Sequence, residues 1–417
     1  MADEVLHLET LTVGAGYDPQ SALGSAKPPI YMTSTFVYRS AQHAKDTHRR
    51  VFDGPSEGET ADSGHIYARL GHPNLDMVET RLAALDGAQA AAGFASGLAA
   101  ATAILLKHLK PGDVVLHGLP IYGGADMLLG QVMAGFGVKA CGVAGGLDPA
   151  LMRRRAQDAM AMGRLAMIWI ETPANPTGAV FDIADAARLA DEVAERQGSR
   201  PLLVVDNTFL GPFLQSPLAL RADLCLTSLT KYCGGHSDLL AGGVSGCAEL
   251  IEPLRALRTL MGSHMDPHTA WLLLRSFETL HLRTQRACEN ALGVARHLQA
   301  HPKVAGVTFL GLAEPGSAEQ AVMARQCRGA GSTFSFRIRG GEAEAFRMLD
   351  GLKLLRLAVS LGGSETLICH PASTTHYPIP RERLEASGVT EGTLRISVGL
   401  EHVDDLIADL DRALERV

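Results

Sequence analysis

The chain has no CxxC pair. Its seven cysteines (Cys141, Cys225, Cys233, Cys247, Cys288, Cys327 and Cys369) are odd in number and dispersed, which argues against a disulfide framework and for reduced thiols. There is no HExxH. The pairs His264/His268 and His297/His301 find no third ligand at a recognisable spacing, so no metal is expected. There is no GxxxxGKS or GxxxxGKT, and Gly14-Ala15-Gly16 lacks the strand–helix context and the third glycine of a dinucleotide loop. No apolar run reaches bilayer length, and the acidic start MADEVLHLETLTVG reads as neither a signal peptide nor an anchor. Positive charge is not in excess. The net charge of −7 gives no reason to expect nucleic acid or a membrane surface as a partner. The expectation is a cytoplasmic protein with a small-molecule substrate.

What is present is an ordinary globular composition, 46% hydrophobic and 20% charged over 417 residues, long enough for two domains with large cores. Residues 1–66 are rich in turn signals and polar residues and read as an irregular arm that reaches over a neighbouring subunit. Asn74–Asp86 has helical spacing and stops at Gly87. β-rich runs follow at Asp113–His117, Ala166–Glu171, Leu202–Asp206, Leu224–Ser228 and Gly242–Gly246, with helix patterns at 97–109, 148–162 and 184–197 between them. That rhythm predicts an α/β domain over 67–265 with a mostly parallel central sheet. From Asp266 a long helical region runs toward residue 300. Strand patterns at 332–338 and 394–398 and helices at 342–351 and 403–416 then predict a smaller α+β domain over 266–417.

Ligands of open α/β sheets bind at the carboxyl ends of the strands, and several polar residues stand there. Asp206 closes LLVVD. Alone it reads best as a helix cap, but it could also be a metal ligand or the partner of a cationic heterocycle. Lys231 follows Ser228 and Thr230 just past the next strand. A surface lysine is normally solvated, whereas one at a ligand-binding strand end is a candidate Schiff-base nucleophile. Ser96, Gly97 and Leu98 open an Ala-rich helix, where free N–H groups and the helix dipole favour a phosphate. Tyr122-Gly123-Gly124 could stack on an aromatic ring or be a plain turn. Together these residues describe a site for pyridoxal 5′-phosphate (PLP).

The motifs PPIYMTSTF, YARLGHPN, ASGLAA, YGGAD, ETPANPTG, VVDNTF, SLTKYCGGHSD, AVSLGGSETLICHPAS and LRISVGLEH span nearly the whole chain. They resemble the Cys/Met metabolism (trans-sulfuration) γ-subfamily of fold-type I PLP-dependent enzymes, which share the fold of aspartate aminotransferase. The resemblance implies that Lys231 holds the cofactor and shuttles protons. It implies that Asp206 pairs the ring N–H, that Ser96, Gly97, Leu98, Ser228 and Thr230 bind the phosphate, and that Asn175 lies beside the ring oxygen. Tyr122 would stack on the ring and act as acid or base near the leaving group. Arg395, assisted by Ser360, would hold the substrate carboxylate, and Glu171 would stand behind these groups. Tyr67 and Arg69 would reach the phosphate of a neighbouring subunit in a homotetramer built from site-sharing dimers.

The implied reaction is γ-elimination on a γ-substituted L-amino acid, with γ-replacement on an O-acylhomoserine as the alternative. Val359 and the stretch after it resemble the methionine γ-lyases of the family. The cystathionine enzymes usually carry Glu there, and an apolar side chain cannot pair the distal ammonium of cystathionine. Gly124 instead resembles the synthases, the cystathionine lyases and the sulfhydrylases. His72-Pro73-Asn74 replaces the usual Asn-Pro-Thr, and the polar segment 39–65 is atypical, so a substrate such as canavanine also stays open. An aminotransferase of the same fold would lack the Tyr67/Arg69 arm and the YGG loop. A non-catalytic relative is disfavoured by the intact set Lys231, Asp206, Tyr122 and Arg395.

Overall fold

The computed structural model describes residues 6–54 and 64–417. Part of the polar 39–65 segment, residues 55–63, lies outside the described residues. Seven strands form the larger sheet: β1 (Ala90–Phe94), β2 (Val114–Leu119), β3 (Lys139–Ala144), β4 (Leu165–Glu171), β5 (Leu202–Asp206), β6 (Leu224–Thr227) and β7 (Gly242–Gly246). Their order is β1-β7-β6-β5-β4-β2-β3. β7 runs antiparallel to both its neighbours, and the pairs from β6 to β3 are parallel.

Parity along the strands builds two cores. Met167, Trp169 and Val204 face one side with Ile104 and Leu254; Ile168, Ile170, Leu203 and Val205 face the other with Phe181 and Val193. Both faces of the sheet are therefore covered, as the near-continuous apolar strands require. A second sheet, β10-β11-β12-β9-β8, is built from β8 (Val304–Thr308), β9 (Thr333–Ile338), β10 (Arg356–Leu357), β11 (Leu367–Cys369) and β12 (Thr393–Ser397). Phe334, Phe336, Leu394 and Ile396 pack it against Val294, Leu298, Leu406 and Leu410 of two helices. None of the helices of the described residues is long and apolar enough to cross a membrane.

Two strands of the larger sheet escape the sequence pattern because they carry little bulk. β1 is AAAGF, paired to β7, GGVSG. A Cβ on Gly93 would meet Leu75 Cδ1 at 2.7 Å, and one on Gly243 would meet Leu82 Cδ2 at 2.4 Å. Helix Pro73–Asp86 thus lies almost on the backbone of this ribbon, and branched residues would lift it off. β3, KACGVA, is an edge strand with half its side chains exposed. The turn-rich N-terminal segment also holds two helices, Leu8–Gly14 and Ala41–Asp53, the latter capped by Ser40, whose side chain accepts from His43 N.

His72 is resolved as a helix cap. It is fully buried, its Nδ1 accepts from Leu75 N at 3.2 Å, and its Nε2 lies 2.9 Å from Met265 O. Both contacts require the neutral Nε2–H form. Asn74 ties down the arm by accepting from Tyr31 N (2.9 Å) and donating to Pro29 O (2.8 Å). Burial lowers the His72 pKa below its ordinary 6.5. The His72 contribution to stability is therefore complete above that value and is lost as pH falls through the folded-state pKa. His72→Ala should lower stability by about 2 kcal/mol, from the lost cap and the orphaned Met265 carbonyl. His72→Asn keeps a capping acceptor without titrating. Its melting temperature should fall less between about pH 7 and pH 5 than that of the parent; equal falls would refute this role.

Candidate active site

A cavity of about 270 Å³ opens at the carboxyl ends of β2, β4, β5 and β6. Strand order reverses between β4 and β2, the kind of place where open sheets leave a crevice. Of the residues singled out above, the cavity gathers Ser96, Gly97, Leu98, Tyr122, Glu171, Asn175, Asp206, Ser228, Thr230, Lys231, Val359, Ser360 and Arg395. Tyr67 and Arg69 are not among its lining residues. In this chain Arg69 lies 5.7 Å over the Tyr67 ring and donates to Thr259 O at 2.7 Å.

One end of the cavity could seat an anion. Ser96 caps helix Gly97–His108 by accepting from Ala99 N at 3.1 Å, which leaves the first-turn N–H groups of Gly97 and Leu98 without helical partners. Gly97 has to be glycine, since a Cβ there would come within 2.8 Å of Ser228 Cβ. The Ser228 N–H donates to Thr208 Oγ1 at 2.9 Å, which fixes the end of β6 under the helix. Thr230 exchanges hydrogen bonds with Ala241, Oγ1 to O at 3.0 Å and N to Oγ1 at 2.9 Å, and so pins the turn that carries Lys231.

The other end holds the charged groups. Lys231 Nζ donates to Ser360 Oγ at 2.7 Å. Burial, then the nearby Arg395 charge, pushes the Lys231 pKa down to about 8, so a useful fraction of the amine is neutral near physiological pH. Ser360 has φ of +89°, a left-handed conformation unusual for a residue with a side chain. That twist presents its hydroxyl to Lys231 and its carbonyl to Arg395 Nη2, at 2.7 Å. Arg395, on β12, also donates from Nη1 to Asn175 Oδ1 at 2.8 Å, while its buried Nε has no partner among the described residues.

Asp206 and Glu171 lie side by side in register at the ends of β5 and β4. Asp206 Oδ1 accepts from Thr208 N at 3.0 Å, and burial raises this carboxyl above its ordinary range. A desolvated carboxylate of this kind is stabilised by a cationic N–H in the cavity. Glu171 is pushed up to about 8 by burial and by the Asp206 charge, against the backbone N–H groups it accepts from. The half-exposed Tyr122 ring lies over Gly124, where a Cβ would touch its Cε1 at 2.6 Å. The uncharged end that could seat an anion, the close approach at Gly97, the carboxylate at Asp206 and the depressed lysine fit PLP.

Trp169, Thr208, Phe209, Leu240 and Thr375 also line the cavity. Two of them were within reach of the sequence: Trp169 shares strand parity with Glu171, and Thr208 follows Asp206 by two. Thr375 carries no such signal. It arrives on the loop after β11, with its carbonyl 2.6 Å from where a Gly123 Cβ would be. Val359 and Leu240 are 53% and 67% exposed. Among the described lining residues the only acidic or basic side chains are Glu171, Asp206, Lys231 and Arg395.

A family model described as Cys/Met metabolism PLP-dependent enzyme matches residues 9–415. An L-methionine gamma-lyase of Pseudomonas putida is 38% identical over 409 residues, covering 97% of this chain and 96% of that one. An L-methionine gamma-lyase of Fusobacterium nucleatum subsp. polymorphum is 36% identical over 414 residues, covering 98% of each. Among solved structures, cystathionine gamma synthase from Xanthomonas oryzae pv. oryzae in complex with cystathionine is similar with a TM-score of 0.86 and 35% identity, covering 99% of this chain and 98% of that one.

Proposed function

The chain belongs to the Cys/Met metabolism PLP-dependent enzymes, and on that premise we propose that it is a γ-lyase resembling the methionine γ-lyases. It would cleave a γ-substituted L-amino acid to 2-oxobutanoate, ammonia and the γ-leaving group. The observation that carries this reading is the uncharged mouth at Val359 and Leu240. A zwitterionic leaving group would find no ionic partner at these two side chains, whereas a small thiol needs none.

Bound PLP supplies the electron sink that makes the Cα and Cβ protons of the substrate removable. Lys231 would hold the cofactor, and its amine, directed toward Ser360, would carry protons to and from the substrate. Asp206 keeps the ring N–H in place. Ser96, Gly97, Leu98, Ser228 and Thr230 hold the phosphate end. The Arg395 fork takes the substrate carboxylate, with Asn175 and Ser360 fixing its plane. Tyr122 would stack on the ring and would give a proton to the departing group. Tyr67 and Arg69 would serve a neighbouring subunit's phosphate in a homotetramer, and the enzyme would work in the cytoplasm.

A second reading, γ-replacement on an O-acylhomoserine, is favoured by Gly124, which resembles the synthases and sulfhydrylases of the family and lets the Tyr122 ring lie directly on its backbone. The test is to offer methionine, homocysteine, cystathionine, O-acetyl- and O-succinylhomoserine and canavanine in turn. Released 2-oxobutanoate, homoserine, thiol and new thioether are then measured. Methionine should give 2-oxobutanoate and thiol faster than cystathionine does. Thioether formation from an acylhomoserine would move the assignment to the second reading. If no member of the panel yields an elimination or replacement product, both readings fall.

A further inference from the structure

Glu171 is 4% exposed and makes two bonds to two different loops. Its Oε2 accepts from Tyr122 N at 2.7 Å, and its Oε1 accepts from Asn175 N at 2.7 Å. Tyr122 begins the short helix after β2, and Asn175 sits in the turn after β4, on the two sides of the crevice. Asn175 in turn accepts from Arg395 Nη1 at 2.8 Å. A continuous hydrogen-bonded chain therefore runs Arg395, Asn175, Glu171, Tyr122. The Tyr122 side chain is 45% exposed, so backbone anchorage largely decides where its ring lies.

We propose that Glu171 is a positioning residue that locks the Tyr122 loop and the Asn175 loop into one unit, so that a carboxylate bound at Arg395 steadies the ring of Tyr122. The inference rests on the assignment of the cofactor and of Arg395 made above. A carboxyl group is suited to the task because both of its oxygens can accept, in the protonated form as well as the ionised one. Glutamine has nearly the same shape but one acceptor. Its amide group would face one of the two N–H donors, and one loop would be released. The device couples carboxylate recognition to the acid that assists the leaving group, so an amino acid seated correctly is also the one that orders the acid.

The test uses the PLP-loaded full chain and glycine, which has the amine and carboxylate of a substrate but no γ-carbon. Glycine binding is read from the visible absorbance of the cofactor, and amide hydrogen exchange is followed over residues 120–127 and 173–178. In the parent protein glycine should slow exchange in both segments. In Glu171→Gln at least one segment should exchange about tenfold faster without ligand, the factor one hydrogen bond carries. The response of 120–127 to glycine should vanish, although glycine still changes the spectrum. Glu171→Asp, which keeps the carboxyl group but falls short of one loop, should show the same uncoupling and serves if the Gln variant does not fold. If both segments respond in the variants as in the parent, the coupling is wrong and the cofactor assignment stands. If glycine leaves the parent's spectrum unchanged, the assignment itself falls, and the coupling with it.

Discussion

Replacing Lys231 by alanine should abolish turnover, by roughly a factor of 10⁴ or more, because the variant loses both the nucleophile and the proton carrier of the reaction. The folded state should not suffer. The substitution removes a desolvated amine whose charge stands near Arg395, and the Ser360 hydroxyl it leaves behind faces an open cavity. The melting temperature of the protein without PLP should therefore be at or above that of the parent. Borohydride, which fixes the cofactor covalently in the parent, should fix none in the variant. The depressed pKa adds a kinetic signature. Only the neutral amine attacks a carbonyl, so the rate at which PLP-free parent protein takes up PLP covalently should climb as pH rises toward about 8 and level off above it. A climb continuing toward the ordinary lysine value of 10.5 would show that the amine is not desolvated as described. Turnover retained in Lys231→Ala would overturn the assignment of the site.

The second large effect is expected at Arg395. Its guanidinium is 3% exposed and is already committed on one edge to Asn175 and the Ser360 carbonyl, so its plane is set before a substrate arrives. Truncating a buried, hydrogen-bonded charge partner costs about 2–5 kcal/mol, which is a loss of roughly 30- to 5,000-fold in kcat/KM for Arg395→Ala. Most of the loss should fall in KM, since the carboxylate is bound in ground state and transition state alike. Arg395→Lys should recover little. A single ammonium cannot serve Asn175, Ser360 and a substrate carboxylate in one plane. Recovery to within about threefold of the parent would mean that Arg395 acts only as a diffuse positive charge.

The site was legible in the sequence where chemistry coincides with a strand end. Asp206 and Lys231 each follow a run of branched residues, and strand-end placement alone makes them stand out. Gly97 could be singled out beside Ser96, but its reason could not, because the clash that requires glycine comes from Ser228, more than a hundred residues away. The fold was legible where strands carry bulk, as at Leu202–Asp206, which falls at the expected bounds; Gly242–Gly246 falls at its bounds with Val244 as its one bulky residue. β1 and β3 carry no comparable signal, because alanine and glycine serve backbone proximity in one and an edge position in the other. The Glu171 chain is invisible for another reason. Its partners are backbone N–H groups, which every residue but proline possesses. His72 could only be placed once Met265 was found beside it.

The ribbon formed by β1 and β7 also governs how this chain can change over generations. Along that seam a methyl group at Gly93 or Gly243 would run into the end of Leu75 or Leu82, so alanine there requires that leucine to shift its rotamer or lose volume. Drift there couples a sheet to the helix lying on it. Variants that survive selection should show these positions moving together, while the Val359–Leu240 mouth, which is exposed and touches no such seam, is free to alter one residue at a time.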